Sequence, residues 1–168
     1  FCFKWMDSIH DLNELKTIED RRKFIMNLAC FATCIEGLFF FAAFAYVYFL
    51  RSKGLLAGLA AGTNWVFRDE SMHIAFASEV IRVARQEEPG LFNEQMNEMI
   101  VQMIEDAIDC EMAFAEDILA HGVAGLSIKD MRQYLEYIAD MRLESLSISP
   151  RYNVKNPFTF MELQDAQE

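Results

Sequence analysis

Arg68-Asp69-Glu70-Ser71-Met72-His73 is the segment that most constrains how this chain can fold. Glu70 and His73 are three residues apart in an apolar helical run, and residues three apart lie on one face of an α-helix. Their side chains can therefore reach the same metal ion. A solvated helix face with an incidental histidine is the alternative interpretation. It is disfavoured because charged groups among Phe, Ala, Val, Ile and Met are tolerated only when they are paired or bind a metal.

A second carboxylate lies in the preceding apolar run. Glu36 is the only fully charged residue between Leu28 and Leu50. We predict one long helix from Ile18 to Arg51, because Thr17 followed by acidic residues is typical of a helix start and Ser52-Lys53-Gly54 of a helix end. The run is long enough to resemble a membrane span. A charge near the middle of a lone span is costly, however, so the central helix of a large bundle is the favoured interpretation.

A second long helix is predicted from Gly58 to Gln86, and its connection to the first is short. Helices joined by such a short loop lie antiparallel and side by side. Glu36 lies about as far before the turn at Gly54 as Glu70 lies after it. The two carboxylates and His73 are therefore expected to converge at one depth in the bundle.

The rest of the chain predicts two more helices, over residues 92–121 and 127–147, and contains no β pattern. Proline residues then break regular structure. We therefore expect an all-α chain that forms a single domain fragment. It has a lead-in over residues 1–16, half of a helical bundle over 17–147 and an irregular segment over 148–168.

Other acidic and histidine residues are weaker candidates for metal ligands. Asp109 and Glu111 are predicted to lie on the polar stripe of the third helix, where acidic side chains contact solvent. His121 is predicted to lie at the end of the same helix, beside a glycine. We therefore interpret all three as structural.

The composition argues against several classes of protein. Fifteen Lys and Arg residues against 26 Asp and Glu residues give a formal net charge of −11, which disfavours nucleic acids and anionic membranes as partners. The four cysteines show no Cys-x-x-Cys spacing. We interpret them as reduced core residues of a cytoplasmic protein.

Two carboxylates and a histidine on facing helices suit a first-row metal, since iron and manganese accept oxygen and imidazole donors. Known bundles with paired metals take one glutamate from each of two helices and a Glu-x-x-His from each of two others. This chain provides half of that set. Phe40, Phe44 and Val66 would line the site and keep it dry, which strengthens local electrostatic interactions.

These motifs resemble a known family. Glu36-Gly37-Leu38-Phe39-Phe40, Arg68–His73 and Asn156-Pro157-Phe158-Thr159-Phe160-Met161-Glu162 resemble the small, radical-generating subunit of class I ribonucleotide reductase, a ferritin-like helical bundle. The resemblance implies that Glu36, Glu70 and His73 are ligands of a dinuclear metal centre. The metals implied are two irons, with manganese in one or both positions as the alternative.

The resemblance further implies that Phe40, Phe44 and Val66 match the apolar pocket near the family's radical tyrosine. Asp69 matches the aspartate that forms a hydrogen bond in the radical-transfer chain. An oxidoreductase that converts ribonucleotides to deoxyribonucleotides is implied, with a second small subunit and a large catalytic subunit as partners.

The chain matches only the second half of the family's ligands, and none of its tyrosines matches the radical tyrosine. We therefore expect the C-terminal half of a small subunit, whether split, cleaved or excerpted, that is completed by an N-terminal half. Two alternatives stay open. One is a ferritin-like ferroxidase in which two copies related by a two-fold axis each donate Glu36, Glu70 and His73. The other is a structural remnant without turnover.

Overall fold

The computed structural model describes residues 1, 2, 4, 15–120, 123 and 125–161, and most of this part is helical. The α-helices, in chain order, are α1 (Ile18–Cys30), α2 (Phe41–Ser52), α3 (Ala57–Glu87), α4 (Glu94–Leu119) and α5 (Ile128–Ser145). A π-helical segment, Phe31–Ile35, follows α1, and short 3-10 turns lie at Pro89–Leu91 and Thr159–Met161. The described residues form no strand beyond one isolated bridge, so the predicted all-α class is confirmed. Most of the predicted lead-in, His121 and residues 162–168 lie outside the described residues.

Side-chain caps form at two of the predicted helix starts. The Thr17 hydroxyl accepts a hydrogen bond from the Asp20 N–H at 3.1 Å, and the Asp20 carboxylate accepts one from the Thr17 N–H at 3.0 Å. The Ser127 hydroxyl likewise accepts a hydrogen bond from the Asp130 N–H at 3.0 Å. Such caps satisfy first-turn amides that have no partner within the helix. The bounds predicted for the second, third and fourth helices agree with α3, α4 and α5 to within a few residues.

The predicted continuous helix from Ile18 to Arg51 is wrong in its middle. After Cys30 the chain widens into the π-helical segment, and the N–H of Glu36 donates to the carbonyl of Phe31, five residues back, at 2.9 Å. Residues 36–40 then form turns before α2 begins. A π-helical turn accommodates one extra residue, and such distortions are frequent at functional sites. Apolar periodicity does not reveal this one, because α-helical and π-helical turns can bury the same residue types.

The apolar run from Leu28 to Leu50 is divided among α1, the π-helical segment and α2. None of the described helices has both the length and the apolar character that crossing a membrane requires. The run contains Cys30 and Cys34, which are buried free thiols as expected. Cys110 was also expected in the core, but it is exposed because it lies on the outer side of α4.

An aromatic cluster of Phe41, Phe44 and Phe67 joins α2 to α3. The ring of Phe44 lies with its centroid 5.6 Å from that of Phe41 and 5.4 Å from that of Phe67. All three side chains are buried, and burial of large aromatic surfaces is a main source of packing energy. Phe41 begins α2, and Phe67 lies one turn before Glu70 on α3. The cluster therefore fixes the two chain segments that carry the candidate carboxylates.

The irregular segment after α5 is anchored by Asp140, which is buried. Its carboxylate accepts hydrogen bonds from the backbone N–H groups of residues 151–153, at distances between 2.6 and 3.0 Å. Phe158 and Met161 are also buried, so apolar side chains hold this segment against the helices as well.

One side of α3 presents large apolar side chains to solvent. Trp65, Met72 and Phe76 are each more than half exposed. Single exposed apolar residues are ordinary on protein surfaces, but several on one helix mark an interaction surface.

Candidate metal centre

The side chains of Glu36, Glu70 and His73 meet at one point. One possible ligand atom from each lies within 4.8 Å of the others. The His73 Nδ1 atom is 3.4 Å from Glu70 Oε2 and 3.8 Å from Glu36 Oε1. The convergence predicted from the sequence is confirmed. Two carboxylate oxygens and an imidazole nitrogen are donors that iron and manganese accept, so these residues fit a metal ion of that kind.

Different features of the backbone position the three side chains. Glu36 is the first residue after the π-helical segment, whereas Glu70 and His73 project from the same face of α3. The connection over residues 53–56 is short, so α2 must turn back directly into α3. Together with the aromatic cluster, this tight connection brings Glu36 to the depth of Glu70.

The candidate site is partly buried and open on one side. The side chain of Glu70 is 14% exposed, that of Glu36 33% and that of His73 57%. Burial raises the pKa of the Glu36 carboxyl above its usual value, while the neighbouring His73 lowers the pKa and the Glu70 carboxylate raises it. Two carboxylates that share a partly buried site repel each other, and a cation between them would remove that repulsion.

The other predicted site residues lie around this group without joining it. Asp69 is exposed, and its carboxylate lies 3.5 Å from the guanidinium of Arg68. The rings of Phe40 and Phe44 stack with centroids 6.1 Å apart. Phe44 is buried, but Phe40 and Val66 are exposed, so the apolar pocket is open within the described part of the chain. The roles assigned to these residues stay predictions.

Glu111 is a buried carboxyl that the sequence interpretation placed wrongly. We expected it on the polar stripe with Asp109, and Asp109 is indeed exposed and paired with Arg132 at 3.0 Å. Glu111 is only 4% exposed. Burial raises the pKa of Glu111 to about 8, and the backbone N–H of Ala42, in the first turn of α2, partly offsets this shift. Glu111 lies four residues from the buried Ala107 and Ala115, so helical periodicity places it in the core, and the expectation gave more weight to its charge than to its position.

This buried carboxyl is expected to make folding stability depend on pH. The pKa of Glu111 is about 8 in the folded chain against an ordinary value of 4.5, so the folded state holds the proton more tightly. The stabilisation of the folded state by this proton is complete below the ordinary pKa. The free energy of unfolding then falls as pH rises towards the folded pKa, by up to about 1.4 kcal/mol per pH unit. Glu111→Gln keeps an acceptor for Ala42 but cannot ionise, and should flatten this decline.

Urea unfolding of the protein, measured at several pH values between the two pKa values, tests this expectation. Asp109→Asn is the matched control, because Asp109 lies on the same helix but is exposed and paired. The control should keep the pH dependence of the unmutated protein. An unchanged pH dependence in Glu111→Gln would show that Glu111 does not cause the decline.

A helical bundle in which carboxylates and a histidine from neighbouring helices converge is typical of the proteins that bind metals through carboxylates. A family model described as ribonucleotide reductase, small chain, matches residues 1–157. The chain therefore belongs to the ribonucleotide reductase small chain family.

Individual relatives agree with this assignment. Ribonucleoside-diphosphate reductase subunit beta of Chlamydia pneumoniae is 31% identical over 147 residues, which cover 88% of this chain and 42% of the relative. Subunit M2 of Danio rerio is 34% identical over 128 residues, which cover 76% of this chain and 31% of the relative. The chain thus spans less than half the length of these curated relatives.

A solved structure supports the fold. The ribonucleotide reductase R2 subunit from Clostridium botulinum superimposes with a TM-score of 0.78 at 21% identity, over 97% of this chain and 50% of that subunit. At this level of identity the likeness concerns the fold alone. The predicted ferritin-like helical fold is confirmed.

Proposed function

We propose that this chain forms part of the dinuclear metal centre of a class I ribonucleotide reductase small subunit. The convergence of Glu36, Glu70 and His73 is the observation that carries the proposal, and family membership supports it. Bundles that hold two metals use twice this number of protein ligands. We assign the remaining ligands to an N-terminal half, present on another segment or another polypeptide.

Glu36 and Glu70 would bind metal through carboxylate oxygens, and His73 through Nδ1, the ring nitrogen that faces both carboxylates. We assign two irons, with manganese in one or both positions as the alternative, since these donors accept both metals. When bound, such a centre provides the oxidising power, drawn from oxygen, that generates a radical. Phe44 would exclude water from the site, because its ring is buried.

The exposed side of the candidate site is the side on which the other half would pack. His73 and Val66 are both exposed in the described part of the chain, although one is a ligand and the other a pocket residue in this proposal. Helices of the N-terminal half would cover them and close the apolar pocket. We also propose, from the family, that the assembled protein pairs with a second small subunit and with a large catalytic subunit.

Metal content and deoxynucleotide formation, measured on one preparation of the assembled protein, test the proposal. We expect two bound metal ions per site, and deoxynucleotide formation that depends on addition of the large subunit. Iron oxidation without deoxynucleotide formation would instead support a ferroxidase built from two copies. A folded protein that binds no metal would support a structural role.

A further inference from the structure

Glu36 does not belong to an α-helix. It is the first residue of the turn over residues 36–40, between the π-helical segment and α2. A side chain within a long helix is oriented by the repeating hydrogen bonds on both sides of it. The orientation of Glu36 depends more on what the turn packs against, so the contacts of this turn decide where its carboxylate points.

The next residue, Gly37, packs directly against the π-helical segment. A Cβ atom at this position would collide with the carbonyl oxygen of Ala32 and lie 2.7 Å from that of Thr33. Any residue other than glycine would therefore push the turn away from the π-helical segment. The absence of a side chain lets the turn pack closely against that segment. The carbonyl of Gly37 has a hydrogen-bond partner on another helix.

That partner is Arg142 of α5, which is only 4% exposed. Its Nε–H group donates a hydrogen bond to the carbonyl oxygen of Gly37 at 3.1 Å. The same guanidinium lies over the ring of Phe41, with its central carbon 5.0 Å from the ring centroid. One planar side chain therefore contacts both ends of the turn, at the residue after Glu36 and at the first residue of α2.

We propose that Arg142 is a positioning residue for Glu36, which holds the turn so that the Glu36 carboxylate faces Glu70 and His73. This inference rests on the proposed metal-binding function. Arg142 acts through the backbone of Gly37 and touches no metal itself. Removal of a group that orients a metal ligand commonly weakens metal binding about 10- to 100-fold.

The geometry of these contacts requires an arginine rather than a lysine. A guanidinium is planar, so it can donate a directed hydrogen bond from its edge while its face covers an aromatic ring. A lysine ammonium is a point charge on a flexible stem and can satisfy only one of these contacts well. Arg142→Lys should therefore loosen the turn while keeping a positive charge there. Arg142→Met should remove the hydrogen bond to Gly37 and the charge over the Phe41 ring while retaining most of the apolar stem.

Cobalt(II) binding to the assembled protein tests the proposal without using enzyme activity. The visible absorption spectrum of bound Co(II) reports the arrangement of its ligands, and a titration gives its affinity. Circular dichroism is recorded on every variant to establish that it is folded. Arg132→Met is the matched control, because Arg132 lies on α5 as well but is exposed and paired with Asp109.

We expect folded Arg142→Lys and Arg142→Met to bind Co(II) at least about tenfold more weakly, with altered absorption bands, and Arg132→Met to match the unmutated protein. Arg142→Lys is expected to lose less affinity than Arg142→Met. Unchanged affinity and spectrum in the folded Arg142 variants would overturn the positioning role while leaving the proposed function intact. If neither variant folds, Arg142 is a structural residue and the proposal is likewise overturned. Failure of the unmutated protein to bind Co(II) would refute the metal-binding function and, with it, this inference.

Discussion

Metal loading of the assembled protein is expected to be lost when His73 is replaced by alanine. His73 contributes the nitrogen donor of the candidate group, and its removal leaves two carboxylates that still repel each other. The ring is 57% exposed within the described part of the chain, so its truncation opens no sealed cavity in α3 packing. The helices should therefore remain folded while the metal is lost.

Elemental analysis of purified variants measures this effect, with circular dichroism as the check on folding. Glu70→Ala is the companion variant and should also lose its metal. Glu79→Ala is the control, because Glu79 lies further along α3, is exposed and pairs with Arg82 rather than with the candidate group. Retention of two metal ions per site in His73→Ala would mean that the ligand group has been assigned wrongly.

Asp69→Asn is expected to reduce deoxynucleotide formation by orders of magnitude while leaving metal content unchanged. Asp69 and Glu70 are adjacent on α3 and therefore point about 100° apart, so Asp69 cannot readily bind the same metal. A carboxylate in that position can instead accept a hydrogen bond from a ligand histidine, as the resemblance to the family implies. Asparagine keeps the size of the side chain and removes its charge, which would break a relay that requires the carboxylate.

Metal content, oxygen consumption and deoxynucleotide formation should be measured together on one preparation of Asp69→Asn. Asp69 is exposed and pairs only weakly with Arg68 at 3.5 Å, so the substitution should cost little folding stability. Asp109→Asn removes another exposed carboxylate and is the control. Undiminished deoxynucleotide formation in Asp69→Asn would remove Asp69 from the radical-transfer chain.

The features that could be predicted from the sequence are those that depend on nearby residues. The cap formed by Ser127 and Asp130 involves residues three positions apart, and such pairs determine where helices begin. The meeting of Glu36 with Glu70 could also be predicted, because the short connection leaves α2 and α3 little freedom in their relative position and the turn that holds Glu36 directly precedes α2.

The features that were missed depend on contacts between distant parts of the chain. Phe31–Ile35 has a composition that an ordinary α-helix would accept, and its π-helical form coincides with the close packing of Gly37 and the hydrogen bond from Arg142. Glu111 is the exception, because it is in phase with the buried residues Ala107 and Ala115 of α4. Its charge was given more weight than its helical position.

The π-helical segment also limits how the length of this part of the chain can change. A single-residue deletion within Phe31–Ile35 would convert the wide turn to an ordinary α-helical turn. The wide turn holds one residue more than an ordinary turn, so this deletion would leave α1 nearly in phase with Glu36 and would remove only the distortion beside the carboxylate. A deletion within α1 itself has no wide turn to absorb it. Because each residue of an α-helix advances the chain by about 100°, such a deletion would rotate the residues before it by roughly that angle relative to Glu36, and the apolar side of α1 would face a different neighbour.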